Sequence, residues 1–149
     1  MERKVIICLC APESKGKTSS IRKVYEQISE QLPENKKKLG EEDGDFYAII
    51  KQEECTIGFS SLGDPKSKQK EWLEKLLEQE CEIIVTASRT EQFEIVESLS
   101  EEYEYTIKQI SPVYDYDCIN NDNQYLEIFY QGNADVIKSL IDKIKKGEL

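Results

Sequence analysis

Lys4 is followed by six consecutive apolar residues, Val5-Ile6-Ile7-Cys8-Leu9-Cys10. The run is short and rich in branched side chains, which predicts a strand covered on both faces. Beyond it, Ile21, Val24, Tyr25, Ile28 and Leu32 recur by threes and fours, predicting a helix over 18–32 that Pro33 ends. Residues 34–45 are polar, contain Lys36-Lys37-Lys38, Gly40 and Gly44, and read as a loop. Two strand-like runs, 46–51 and 55–60, flank the polar Gln52-Glu53-Glu54 and predict a hairpin. Trp72, Leu73, Leu76 and Leu77 form the core-facing stripe of a helix over 66–80, and Ile83-Ile84-Val85 centres a buried strand over 82–87. A strand–helix–strand unit of this kind closes by a right-handed parallel crossover. Phe93, Val96 and Leu99 mark a helix over 90–100, and the alternating 103–110 predicts the last strand of the parallel sheet. Residues 111–123 carry Pro112, Asp115, Asp117 and two asparagines and read as a loop. Leu126, Tyr130, Ile137, Leu140 and Ile144 then predict a long C-terminal helix, with Gly132-Asn133 a candidate break. Residues 125–130 are also rich in β-formers and read alternatively as a final strand.

This order of elements predicts an α/β fold: a three-layer α/β/α sandwich around a mostly parallel, five-stranded sheet with one antiparallel edge strand, and a C-terminal helix. At 149 residues the chain suits a single domain spanning 1–149. The net charge of −10 argues against a sequence-independent nucleic-acid partner, because phosphate backbones would be repelled by most of the surface. No apolar run reaches membrane-spanning length, and Val5–Cys10 is too short for a signal sequence. Five cysteines, Cys8, Cys10, Cys55, Cys81 and Cys118, lack any C-x-x-C spacing, and there is no histidine. That combination predicts reduced thiols and a cytoplasmic setting, argues against a soft-metal site, and removes the commonest general base.

The residues joining the first strand to the first helix are Ala11-Pro12-Glu13-Ser14-Lys15-Gly16-Lys17-Thr18. They fit the phosphate-loop pattern A/G-x-x-x-x-G-K-S/T. A loop wrapping from a strand end to a helix start points successive N–H groups inward, where they can hold phosphate oxygens. Gly16 allows close backbone approach, Lys17 can reach the β- and γ-phosphates, and the Thr18 hydroxyl can meet Mg²⁺. On these residues and their context the chain resembles the P-loop NTPase superfamily. The closing Ser60-x-x-Gly63-Asp64 and Ala87-Ser88-Arg89-Thr90 add a likeness to small stand-alone bacterial and phage members. The resemblance implies ATP or another NTP with Mg²⁺, bound by Ala11, Glu13, Ser14, Lys15, Gly16, Lys17, Thr18 and Ser19. It also implies that the run 55–60 is a parallel neighbour of the first strand, with 46–51 as the antiparallel edge.

Asp64 is the candidate second metal ligand, beside Thr18, and a candidate for positioning the attacking group. Asp64-Pro65 also reads as a helix start, in which case Ser60 or Ser61 would face the metal. Arg89, at the end of the strand expected beside the first, is the candidate for stabilising a transferred phosphoryl group, against the plainer reading of a surface ion pair. Ser88-x-x-Glu91 matches a capping box. The lysine run 36–38 reads as a solvated patch or, alternatively, as a group leaning over nucleotide. No N/T-K-x-D guanine signature occurs, and only three arginines are present, Arg3, Arg22 and Arg89, too few for an arginine-rich lid. Two functions follow. One is a phosphotransferase or NTPase catalysed by Lys17, Asp64 and Arg89 on a small-molecule or protein acceptor. The other is a nucleotide-binding regulatory or interaction module without turnover.

Overall fold

The computed structural model describes residues 4–12, 16–53, 55–63, 68–113 and 123–149. The described residues form six strands and four helices: β1 (Val5–Ala11), α1 (Lys17–Gln31), β2 (Lys36–Glu42), β3 (Asp45–Lys51), β4 (Thr56–Ser60), α2 (Gln69–Glu78), β5 (Ile83–Arg89), α3 (Phe93–Tyr103), β6 (Thr106–Ile110) and α4 (Asn123–Lys145). The strands form one mixed sheet in the order β2-β3-β4-β5-β1-β6. Strands β4, β5, β1 and β6 are mutually parallel, while β3 runs antiparallel to β4 and β2 antiparallel to β3.

The apolar runs explain the centre of the sheet. Every residue of β1 is buried, as are the first six of β5, so both strands need cover on both faces. On one face Val5, Ile7 and Leu9 pack with Ile21, Val24 and Tyr25 of α1 and with Ala134, Ile137, Ile141 and Ile144 of α4. On the other, Ile6, Cys8 and Cys10 pack with Trp72, Leu73, Leu76 and Leu77 of α2 and with Val96 and Leu99 of α3. Helices therefore lie on both faces of the sheet. Trp72 is a core residue, its ring centroid 4.7 Å from that of Tyr47.

Three expectations are corrected. The sheet has six strands, because the supposed loop 34–45 contains β2. Its partner β3 is reached through Asp43 and Gly44, whose φ angles of 49° and 85° are those of a type I′ turn. Lys36, Lys37 and Lys38 are exposed on this edge strand and pair with Ile50, Ile49 and Ala48, at the far end of β3 from Asp45. They defend an open edge rather than lean over a ligand at the loop. Next, β4 is not a neighbour of β1, since β5 lies between them, and β3 is not the edge. Finally, no capping box forms at Ser88: its hydroxyl donates to the Arg89 carbonyl at 2.9 Å, and a short 3₁₀ turn at Thr90–Gln92 leads into α3.

Residues 123–145 form one helix that runs unbroken through Gly132-Asn133, so 125–130 is not a strand. Asn133 is buried instead of capping a second piece. Its Nδ2 donates to Ser20 Oγ at 3.1 Å and to the Val113 carbonyl at 3.2 Å, while its Oδ1 accepts from Val113 N–H at 2.7 Å. One amide thereby ties α4 to α1 and to the segment after β6. No helix among the described residues is long and apolar enough to cross a membrane.

Asn133→Leu would strand the Val113 N–H and carbonyl beside an apolar side chain. The expected loss is about 1 kcal/mol, because Val113 is itself exposed and water can take over part of that bonding, measurable by urea denaturation.

Candidate functional site

Strands β1 and β5 are paired over seven positions, from Val5↔Ile83 to Ala11↔Arg89, so both finish at the same level. Lys17, the first residue of α1, turns back over that end. Its Nζ donates to the Ala11 carbonyl at 3.4 Å and to the Ser88 carbonyl at 3.2 Å, and the residue is only 7 % exposed. Two strand ends thus form a seat of carbonyl oxygens for one ammonium. Burial holds the Lys17 pKa below its ordinary value, and the nearby Arg89 charge lowers it further.

Arg89 is half-buried at the last position of β5, its N–H bonded to the Gly63 carbonyl at 3.3 Å. Lys17 and Arg89 therefore bring two positive charges to one crevice beyond the carboxyl ends of parallel strands, where ligands of open α/β sheets bind.

Gly16 precedes Lys17 with φ 77°, in the left-handed region. Its hydrogen faces Tyr130 of α4: a Cβ there would stand 2.4 Å from the ring. Ser20 N–H bonds the Gly16 carbonyl at 2.9 Å and closes the first turn of α1. Gly16 has no side chain to cap the helix, and the first turn, Lys17-Thr18-Ser19-Ser20, holds no acid, so the helix's positive end is left uncompensated by its own residues. Ala11 is buried and Ser19 exposed. Glu13, Ser14, Lys15, Asp64, Cys118 and the acidic segment 114–122 lie outside the described residues.

Thr18 carries the finding the sequence reading missed. Its Oγ1 donates to Asp45 Oδ1 at 2.8 Å and lies 3.5 Å from the Ser61 carbonyl. Ser61 Oγ donates to the same Asp45 oxygen at 2.8 Å and accepts from Phe46 N–H at 2.9 Å. Of the two serines expected near a metal, Ser61 stands beside Thr18. Ser60 is fully buried, its hydroxyl without a partner among the described residues. Asp45 arrives from β3, whose first residue lies level with the end of β4 because the two are antiparallel. Arg22 steadies this corner by donating to the Gly44 carbonyl, its guanidinium 4.9 Å from the centre of the Phe46 ring.

Beneath the loop, Cys8 and Cys10 approach with sulfurs 3.7 Å apart. The hydrogen bond between them, for which either sulfur could be the donor, acts with burial to push the Cys8 pKa well up. That same bond lowers Cys10, helped by Gln109 and by the Lys17 charge. Cys55 and Cys81 are also buried, and no group of three or more metal-binding side chains occurs among the described residues.

Gly16→Ala is expected to cost about 2 kcal/mol, from left-handed strain plus the contact with Tyr130, read as a fall in melting temperature. Lys17→Met tests the buried ammonium. A lysine whose folded pKa is lowered destabilises the fold below that pKa and ceases to do so as pH rises toward 10.5. The variant should therefore be at least as stable as the parent at pH 7, with the gap closing by pH 10 in urea melts.

No protein-family model, no curated protein and no solved structure matches the chain.

Proposed function

We propose that the protein binds ATP, or another nucleoside triphosphate, with Mg²⁺ at the Lys17 crevice, and acts there as a P-loop phosphotransferase or NTPase. The observation that carries this reading is the seat of Lys17: a buried ammonium on two strand-end carbonyls, at the uncapped start of a helix, with Arg89 beside it. A desolvated cation whose contacts among the described residues are two long neutral ones gains most from an anion. The triphosphate tail is the anion whose shape suits a strand–loop–helix turn with a left-handed glycine.

In this reading the loop N–H groups and α1 hold the β-phosphate. Lys17 swings from its carbonyl seat to the β- and γ-phosphates, and Arg89 faces the transferring group. Thr18 and the carboxylate next to it supply hard oxygen donors, the chemistry Mg²⁺ requires. When bound, the cation would neutralise developing charge between the β- and γ-oxygens. Catalysis is then chiefly positioning and electrostatic stabilisation. Arg22 is engaged at the hairpin turn, and a chain with three arginines suits water or a weakly charged acceptor.

Differential scanning fluorimetry with ATP, GTP and their diphosphates in Mg²⁺ tests the reading. Ligand at a hundred times its dissociation constant should add about 2.7 kcal/mol of stability, and Lys17→Ala should abolish the shift. Phosphate release with and without acceptors then separates an enzyme from a binding module. No thermal shift with any nucleotide would overturn both.

A further inference from the structure

We infer that the carboxylate which holds the divalent cation at this site is Asp45, from the start of the antiparallel strand β3, and not Asp64 after β4. The inference rests on the nucleotide reading and goes beyond it by assigning the metal side of the site to a different strand.

Position is the first argument. The Thr18 hydroxyl is the group expected to meet the cation, and its proton already points to Asp45 Oδ1 at 2.8 Å. A hydroxyl whose proton is taken by a carboxylate keeps its lone pairs for a metal, and the carboxylate's second oxygen stays available to the cation or to its waters. Both donors are hard oxygens, as Mg²⁺ demands. Pre-organisation is the second argument. Ser61 Oγ donates to the same Asp45 oxygen at 2.8 Å while accepting from Phe46 N–H, so the carboxylate is fixed before any ligand arrives. Outer partners of this kind orient metal ligands.

The sheet supplies the third argument. Because β5 separates β1 from β4, the end of β4 stands two strands from the loop strand. At that end Ser61 turns to the site with a hydroxyl, and the acidic group comes from the antiparallel neighbour, which begins where β4 finishes. The corner also carries its own brace, Arg22 on the Gly44 carbonyl, which links the β2–β3 turn to the same helix that bears Thr18.

The experiment measures ATP affinity by calorimetry in excess Mg²⁺ and in EDTA, for the parent chain, Asp45→Asn and Asp64→Asn. Asparagine keeps an oxygen for the Thr18 and Ser61 protons but loses the charge. The parent should bind ATP more tightly with Mg²⁺. Asp45→Asn should lose that enhancement by roughly tenfold or more while binding metal-free ATP like the parent, and Asp64→Asn should retain it. An enhancement kept by Asp45→Asn overturns the inference, whatever Asp64→Asn does. Failure of the parent to bind ATP in either buffer is a different result: it brings down the nucleotide reading itself, and this assignment with it. Should Asp45→Asn not fold, Fe²⁺ replacing Mg²⁺ in the parent–ATP complex provides a second measurement. With hydrogen peroxide and ascorbate added, hydroxyl-radical cleavage is expected at 44–46 as well as near Thr18, and its absence from 44–46 overturns the assignment.

Discussion

The pairing of β1 with β5 is the constraint from which the rest follows. Seven residues of each strand are in register, and their burial on both faces leaves no freedom to slip, since a shift of one residue would reverse every side chain. The register sets Ala11 opposite Arg89 and brings the Ala11 and Ser88 carbonyls to one ammonium. Among the described residues, those two oxygens, presented together, are the polar groups that Lys17 bonds as it buries. The lowered pKa of Lys17 is a consequence of this enclosure.

A second set of contacts joins the opposite side of the crevice to the same helix. Thr18 and Arg22, one turn apart on α1, hold Asp45 and Gly44 at the mouth of the β2–β3 hairpin. The antiparallel flank of the sheet is therefore part of the site's wall as well as its edge. A doubly wound sheet of parallel strands alone would offer only strand ends there; reversing β3 offers a strand beginning.

The first strand, the turn after it and the first helix were legible because each has a local signature: a branched apolar run, a motif of fixed spacing, and a 3.6-residue period. Strand β2 was not. Three adjacent lysines and a glycine carry no alternation, and an edge strand exposed on most positions needs none. The signal that would have found it was Asp43-Gly44, one residue before an apolar run, the dipeptide of a two-residue hairpin turn. Asp45 was missed for a related reason. An acid was sought after the strand 55–60, where a parallel sheet would present it, whereas an antiparallel strand presents its first residue at that level. The place of β5 between β1 and β4 was equally hidden, since strand order is decided by which faces α2 and α3 cover and not by any local pattern. Gly132-Asn133 looked like a break by composition, yet Asn133 bonds the Val113 backbone and Ser20, and that tertiary demand keeps the helix whole.

Tyr130 and Asn133 are neighbours along one side of α4, about a turn apart, and they reach Gly16 and Ser20 respectively. The turn that follows the first strand is thus buttressed by residues more than a hundred positions downstream. On a ribosome, β1 and α1 emerge more than a hundred residues before the helix that buttresses them. Until it arrives, the left-handed glycine has no ring against it and Ser20 no amide from Asn133. A nascent chain would carry its glycine–lysine turn long before it carried the brace that holds it.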